Sequence, residues 1–251
     1  MAYANTFIRR EIKYLLSERQ TDEVLLRISS MMTEDCYSDQ TICSLYCDSA
    51  DHILAQLSMD KPVYKEKLRL RTYGTPVDSS DVFLEIKKKF QGVVYKRRAE
   101  MTLRQAREYL SGGEKPPQDS QILREIDYTL KFHDIHPMVC LCYERVALYG
   151  KENPDLRITF DTGIRFRTDE LDLGAGARGQ NLLPPGGVLM EIKIPGTTPL
   201  WLARALSENA IFPTHFSKYG AAYQTMLRES RSPQFGSETI HLNEKGEIYC
   251  A

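Results

Sequence analysis

Residues Tyr64 to Tyr73, YKEKLRLRTY, alternate so regularly that Lys65, Lys67, Arg69, Arg71 and Tyr73 fall on one face of an extended strand. A solvated strand face ordinarily mixes its charges, because like charges side by side repel. The segment therefore points to a fold that gathers cations on a shared surface, where an anion can neutralise them. Val82 to Lys89 repeats the pattern, with Phe83, Glu85, Lys87 and Lys89 against Val82, Leu84 and Ile86. Val93 to Glu100 sets Val94, Lys96, Arg98 and Glu100 against Tyr95, Arg97 and Ala99, and the intervening Gln91-Gly92 predicts a hairpin. Phe7 to Leu15 places Arg9, Glu11 and Lys13 opposite Ile8, Ile12 and Tyr14. Ile42 to Cys47, Met138 to Tyr149, Arg157 to Arg167 with a bend at Gly163, and Gly187 to Ile194 complete the strands, adding Arg145, Arg157 and Lys193.

Helices lie between and after these strands. Ser17 with Gln20 and Thr102 with Gln105 have capping-box spacing, each ahead of a helix. Ser49 to Leu57, Gln121 to Phe132, Pro199 to Asn209 and Ser217 to Glu229 also read as helical, while Leu171 to Pro185 reads as a long surface loop. Several strand connections are too short for parallel crossovers. The expected fold is α+β: a closed antiparallel β-barrel with surrounding helices and inward-facing cations. We expect one domain over residues 1–229 and a C-terminal tail of uncertain order over 230–251.

The 251-residue chain has 33 Lys plus Arg against 34 Asp plus Glu, so its cations are segregated by element rather than in excess. An external nucleic-acid footprint usually raises the pI, and here it is about 6.5, which argues against nucleic acid as partner. No apolar run approaches the roughly 18 residues that span a bilayer, and MAYANTFIRR lacks a signal peptide's apolar stretch, so a cytoplasmic location is expected. The six cysteines show no CxxC spacing, which predicts neither a zinc site nor a disulfide framework.

A confined basic face suits a chain of phosphates, since arginine offers a planar fork and lysine a mobile point charge. Among the interrupting carboxylates, Glu11, Glu85, Glu100, Glu144 and Asp161 read as partners of neighbouring cations. Glu191 shares a face with Lys193 between apolar neighbours and is the first choice to hold a hard divalent cation together with phosphate oxygens.

The ordered motifs Arg9-x-Glu11-x-Lys13-Tyr14, Leu68-Arg69-Leu70-Arg71-x-Tyr73-Gly74, Phe83-Leu84-Glu85-Ile86-Lys87, Tyr143-x-Arg145, Arg157-Ile158-x-x-Asp161-Thr162, Glu191-Ile192-Lys193 and Phe216-Ser217-Lys218-Tyr219 resemble the VTC domain over roughly residues 5 to 228. That domain is the polyphosphate polymerase of the vacuolar transporter chaperone complex, within the triphosphate tunnel metalloenzymes of the CYTH-like superfamily. The resemblance implies a tunnel fold, a divalent ion with Mn2+ ahead of Mg2+, and transfer of the ATP γ-phosphate to growing inorganic polyphosphate. By motif it implies phosphate-handling roles for Lys13, Arg69, Arg71, Lys87, Lys96, Tyr143, Arg145, Arg157, Ser217 and Lys218, and metal binding by Glu191. Arg98 and Lys193 join the substrate-binding set from their strand faces.

Tunnel relatives acting as phosphatases or cyclases carry Glu-x-Glu-x-Lys on the first strand, and Arg9 replaces its first acid, which favours transfer over hydrolysis. His215 stands where the fungal polymerase is expected to have lysine. The chain also lacks the SPX domain and membrane helices of the fungal subunits, so coupling to translocation would require a separate membrane partner. The competing readings are a triphosphate or nucleoside triphosphate hydrolase of the same fold and a non-catalytic polyphosphate-binding module.

Overall fold

The computed structural model describes residues 9–36, 38–60, 62–91, 93–117, 120–231, 241–242 and 248–249. The chain begins β1 (Arg9–Leu16), α1 (Glu18–Ile28), β2 (Met32–Glu34), β3 (Gln40–Asp48), α2 (Ile53–Met59). A meander follows, β4 (Tyr64–Tyr73), β5 (Asp81–Phe90) and β6 (Val93–Thr102), then α3 (Leu103–Leu110) and α4 (Gln121–Phe132). The second half runs β7 (His136–Gly150), β8 (Arg157–Arg167), β9 (Gln180–Asn181), β10 (Val188–Pro195), α5 (Leu200–Glu208) and α6 (Lys218–Arg231). Within the expected tail, only the end of α6 and the paired strands β11 (His241–Leu242) and β12 (Ile248–Tyr249) are described.

The main sheet runs in the order β1-β10-β8-β7-β3-β4-β5-β6, with β2 added to β7 and β9 to β8, and its pairs are antiparallel. The expected closed barrel is corrected here: β1 and β6 end the path without pairing, so the sheet is open. The outer edge of β1 instead receives one bridge, from the Thr214 N–H to the Lys13 carbonyl at 2.7 Å. The sheet is nevertheless strongly curled. Lys13 of β1 donates to the Phe216 carbonyl at 3.0 Å, and Lys67 of β4 donates to the adjoining Ser217 hydroxyl at 2.9 Å. Register shifts between Cys142 and Glu144 and between Tyr46 and Cys47 bend the strands, and Gly163 supplies the left-handed turn (φ +54°) opposite the first.

Alternation sends the apolar faces outward beneath helices. Cys43, Leu45, Leu68, Leu70, Leu84 and Ile86 are buried with Ala106 and Tyr109 of α3 and Leu123 and Ile126 of α4. Tyr14, Ile158, Met190 and Ile192 pack with Val24 and Ile28 of α1 and Leu202 and Ala205 of α5. Each of the leucines, isoleucines, valines and methionines among them contributes about 1.5–3 kcal/mol on burial. A third cluster lies on the concave side, where Tyr219, Ala222 and Tyr223 of α6 meet Tyr46, Leu141, Ile164 and Leu189. Both capping boxes form as expected. Helix α2 starts at Ile53 rather than at Ser49, and Asp48 accepts from its first turn, at Leu54 N (2.8 Å) and Ala55 N (3.0 Å). Met32, which continues the α1 periodicity, is instead the first residue of β2 and pairs with Gly150.

The Leu171 to Pro185 excursion is pinned down. It contains a short 3-10 turn and β9, Arg107 holds Asp172 at 2.6 Å, and Arg167 donates to the carbonyls of Asp172 (2.6 Å) and Gly176 (2.9 Å).

Candidate functional site

The inward faces of the curled sheet form a charged trough with two walls. Strands β4, β5 and β6 make the first. Their registers put Lys67 beside Lys87 and Lys87 beside Lys96, so three lysines stand abreast on neighbouring strands, whose backbones lie on the order of 4.8 Å apart. One step along, Arg69 lies beside Glu85, which lies beside Arg98. Glu85 is the wall's buried anion, at 2.7 Å from Arg69 Nη2, 2.6 Å from Lys96 Nζ and 3.9 Å from Arg71 Nη1. Burial would raise the Glu85 pKa, but Arg69, Arg71 and Lys96 outweigh it and hold the carboxyl at about 2. Arg71 also donates to Ser44 Oγ and the Tyr143 hydroxyl, each at 3.2 Å. Lys67 is pushed down to about 8, first by burial and then by the ammoniums of Lys13, Lys65 and Lys87 against the opposing pull of Tyr46.

Strands β7, β8, β10 and β1 make the second wall, closed from above by the start of α6. Asp161, fully buried, takes a bidentate fork from Arg145 at 2.6 and 2.7 Å and the Lys218 ammonium at 2.5 Å. Lys218 also reaches Glu191 (3.4 Å) and lies 4.5 Å from the Tyr143 ring centre. Glu191 is ringed by Lys13 at 3.3 Å and Lys193 at 3.7 Å as well. Burial opposes its ionisation, yet Lys218, Lys13, Lys193 and Arg145 hold its carboxyl far below the ordinary carboxylate range. Glu11 sits 3.5 Å from Lys13; burial raises its pKa, but Lys87 from the opposite wall leads the cations that lower it overall.

The structure thus brings together Lys13, Arg69, Arg71, Lys87, Lys96, Tyr143, Arg145, Lys193, Ser217, Lys218 and Glu191 of the expected set. Two others stand apart. Arg157 neighbours Lys193 in register but is half exposed at the strand end, 3.6 Å from Asp35, and Arg98 lies exposed over the Phe83 ring at 4.7 Å. His215 is exposed, and the Arg9 side chain lies outside the described residues. Glu144 pairs with Arg165 at 2.6 Å, as its expected structural role requires.

Sequence reasoning missed Tyr46, hidden in the apolar run Ile42 to Cys47. Its hydroxyl accepts from Arg69 at 2.9 Å and its ring stacks on Tyr219 at 4.8 Å. Burial raises its pKa, but Arg69, Lys67 and Arg71 together bring it down to about 7. Tyr219 in turn donates to Asp48 at 2.7 Å, tying the start of α6 to the cap of α2. Thr159, across from Glu191, holds a buried hydroxyl with no hydrogen-bond partner among the described residues.

No group of three or more His, Cys, Asp or Glu side chains able to hold a metal converges among the described residues. A divalent ion would find at most Glu191 and Glu11 here, both already beside lysines, and would need phosphate oxygens of a ligand for the rest of its shell. The unpartnered Thr159 hydroxyl beside Glu191 offers a further oxygen donor. No helix among the described residues is long and apolar enough to cross a membrane.

A search of curated proteins found no match. Among solved structures, a candidate adenylate cyclase from Bacillus halodurans aligns with a TM-score of 0.53 at 12% identity, covering 84% of this chain and 93% of that one. A candidate adenylyl cyclase from Hippeastrum, described as having a dominant triphosphatase activity, aligns at a TM-score of 0.48 and 16% identity over 86% of this chain and 95% of that one. A further candidate adenylate cyclase, from Vibrio parahaemolyticus, gives 0.46 and 14% over 90% and 99%. The Bacillus likeness shows a shared fold, that of the triphosphate tunnel proteins. A family model described as VTC domain matches residues 8–227, nearly the whole span of the sheet and its covering helices. The chain belongs to the VTC domain family.

Proposed function

We propose that the trough takes ATP and passes its terminal phosphoryl group to the end of an inorganic polyphosphate chain, acting as an ATP-dependent polyphosphate polymerase. One observation carries this reading: Lys67, Lys87 and Lys96 stand abreast on a wall where, among the described residues, Glu85 is the only buried carboxylate facing the trough. Like charges placed side by side are costly in a ligand-free fold. A linear polyanion crossing the strands meets a new ammonium at each one and relieves that repulsion.

In the transfer step a terminal oxygen of the acceptor chain attacks the γ-phosphorus. The bond from that phosphorus to the β,γ-bridging oxygen breaks, and ADP leaves with the electron pair. No covalent protein intermediate is needed, because positioning and charge neutralisation supply most of the catalysis. Arg69, Arg71 and Arg145 present planar donor forks that hold phosphate oxygens in orientation, and Lys13 and Lys218 add mobile charges from β1 and α6. Asp161 keeps Arg145 and Lys218 in place, and Tyr46 steadies Arg69. A manganese or magnesium ion on Glu191 would further neutralise the transferring and leaving oxygens.

Incubation with ATP and Mn2+ tests the proposal. Long polymer on a gel supports it, whereas free phosphate without polymer assigns hydrolysis instead. Binding of polyphosphate with ATP left unchanged makes the chain a non-catalytic binding module.

A further inference from the structure

The trough face of the meander changes character along its length. The row of Lys67, Lys87 and Lys96 is followed by Arg69, Glu85 and Arg98, and then by Arg71, Phe83 and Glu100, with Asp81 and Thr102 paired beyond. Tyr73 continues the β4 face two residues past Arg71. From Lys87 to Phe83, about 13 Å of strand, the lysine row gives way to aromatic rings among the exposed carboxylates of Glu100 and Asp81. Carboxylates repel phosphates, so this end suits the uncharged part of a nucleotide rather than more of its phosphate chain.

The rings are arranged to receive a flat ligand. Tyr73 is 44% exposed and meets Phe83 edge-on, with ring centres 6.0 Å apart and planes at 68°. The Arg98 guanidinium lies over the Phe83 ring, 4.7 Å from its centre, and is itself exposed. Neither ring belongs to the three buried clusters that hold the sheet to its helices. An exposed tyrosine ring and an exposed guanidinium plane are both surfaces on which a nucleobase stacks, because every base presents a flat π-face.

We propose that Tyr73, Phe83 and Arg98 form a stacking subsite for the base of a nucleoside triphosphate. The base sits at this end of the trough, Arg71 and Arg69 meet the phosphates next to it, and the terminal phosphate reaches the lysine row. The inference rests on the proposed use of a nucleoside triphosphate, and not on whether its phosphate passes to polymer or to water.

Calorimetric titration without divalent ion tests it, comparing ATP with ribose 5′-triphosphate, which carries the same phosphates and lacks the base. The unaltered chain should bind ATP at least about fivefold more tightly. Tyr73→Ala should remove most of that advantage and leave the affinity for ribose 5′-triphosphate unchanged, which also checks that the trough is folded. Phe83→Leu, which keeps apolar bulk but removes the ring, should lose part of the advantage in the same way. Equal affinity of the unaltered chain for the two ligands, or an equal loss of both in Tyr73→Ala, would overturn the subsite while leaving the phosphate-binding trough intact. Failure to bind either ligand would overturn the subsite and the proposed function together. An advantage for ATP that Tyr73→Ala abolishes, in a chain that makes no polymer, would support the subsite and count against the polymerase alone.

Discussion

The two walls of the trough use the same residue types in opposite balance. On the β7, β8, β10 and β1 wall, Asp161 and Glu191 are enclosed by Arg145, Lys218, Lys13 and Lys193, so charges there are largely satisfied within the protein. On the β4, β5 and β6 wall, Glu85 is the one buried carboxylate among the described residues that serves Arg69, Arg71 and Lys96, and Lys67 and Lys87 beside Lys96 are left as a positive excess. The β7, β8, β10 and β1 wall is a frame whose energy lies in completed pairs. The β4, β5 and β6 wall stores repulsion, which under the proposed function a phosphate chain would discharge. Removing a charge should therefore weigh mainly on stability on the β7, β8, β10 and β1 wall and mainly on the substrate on the β4, β5 and β6 wall.

The largest effect is expected on the frame. Asp161→Asn keeps the shape but leaves Arg145 and Lys218 buried without their anion, and should lower stability by about 3–5 kcal/mol in denaturant unfolding. On the other wall, Arg69→Ala removes a fork while Arg71 and Lys96 still face Glu85. Polymer synthesis should fall by about 10²–10³-fold with a smaller loss of stability. Full retained synthesis in this variant would break the assignment of the wall to substrate.

A gentler perturbation is pH. Folding lowers Lys67 from 10.5 to about 8, so between those values the unfolded chain holds the proton more readily than the folded one. This folding penalty is complete below about pH 8 and is relieved as pH rises towards 10.5. Triphosphate affinity should move the other way, weakening above about pH 8 as Lys67 loses its charge. Lys67→Arg, which stays protonated, should hold affinity across that range in a calorimetric titration.

The legibility of the two walls also differs. The β4, β5 and β6 wall is a meander of consecutive hairpins, so alternation within a short stretch already placed Lys67, Arg69, Arg71, Lys87 and Lys96 on one surface. The other wall joins the start of the chain to its end, as in the pairing of Lys13 with Glu191, and α6 adds Lys218 from outside the sheet. Periodicity reveals a strand's faces but not its partner, so the central place of Asp161 could be read only as a general expectation of pairing. Arg157 marks a second limit. It has the correct face, but it sits at a strand end, where it turns to Asp35. Closure of the barrel failed for a related reason: no local pattern specifies whether β1 meets β6, and the segment around Thr214 takes the free edge of β1.

The contrast is tested most directly at Lys87, which stands between two lysines and has no ion-pair partner within 4.0 Å among the described residues. Lys87→Met should be read in two ways on the same sample, by denaturant unfolding without ligand and by calorimetric titration with inorganic triphosphate. The predicted result is a stability gain of about 0.2–1 kcal/mol from relieved cross-strand repulsion, together with a loss of about 1.5–3 kcal/mol in triphosphate binding. Unchanged triphosphate affinity in this variant would contradict the account.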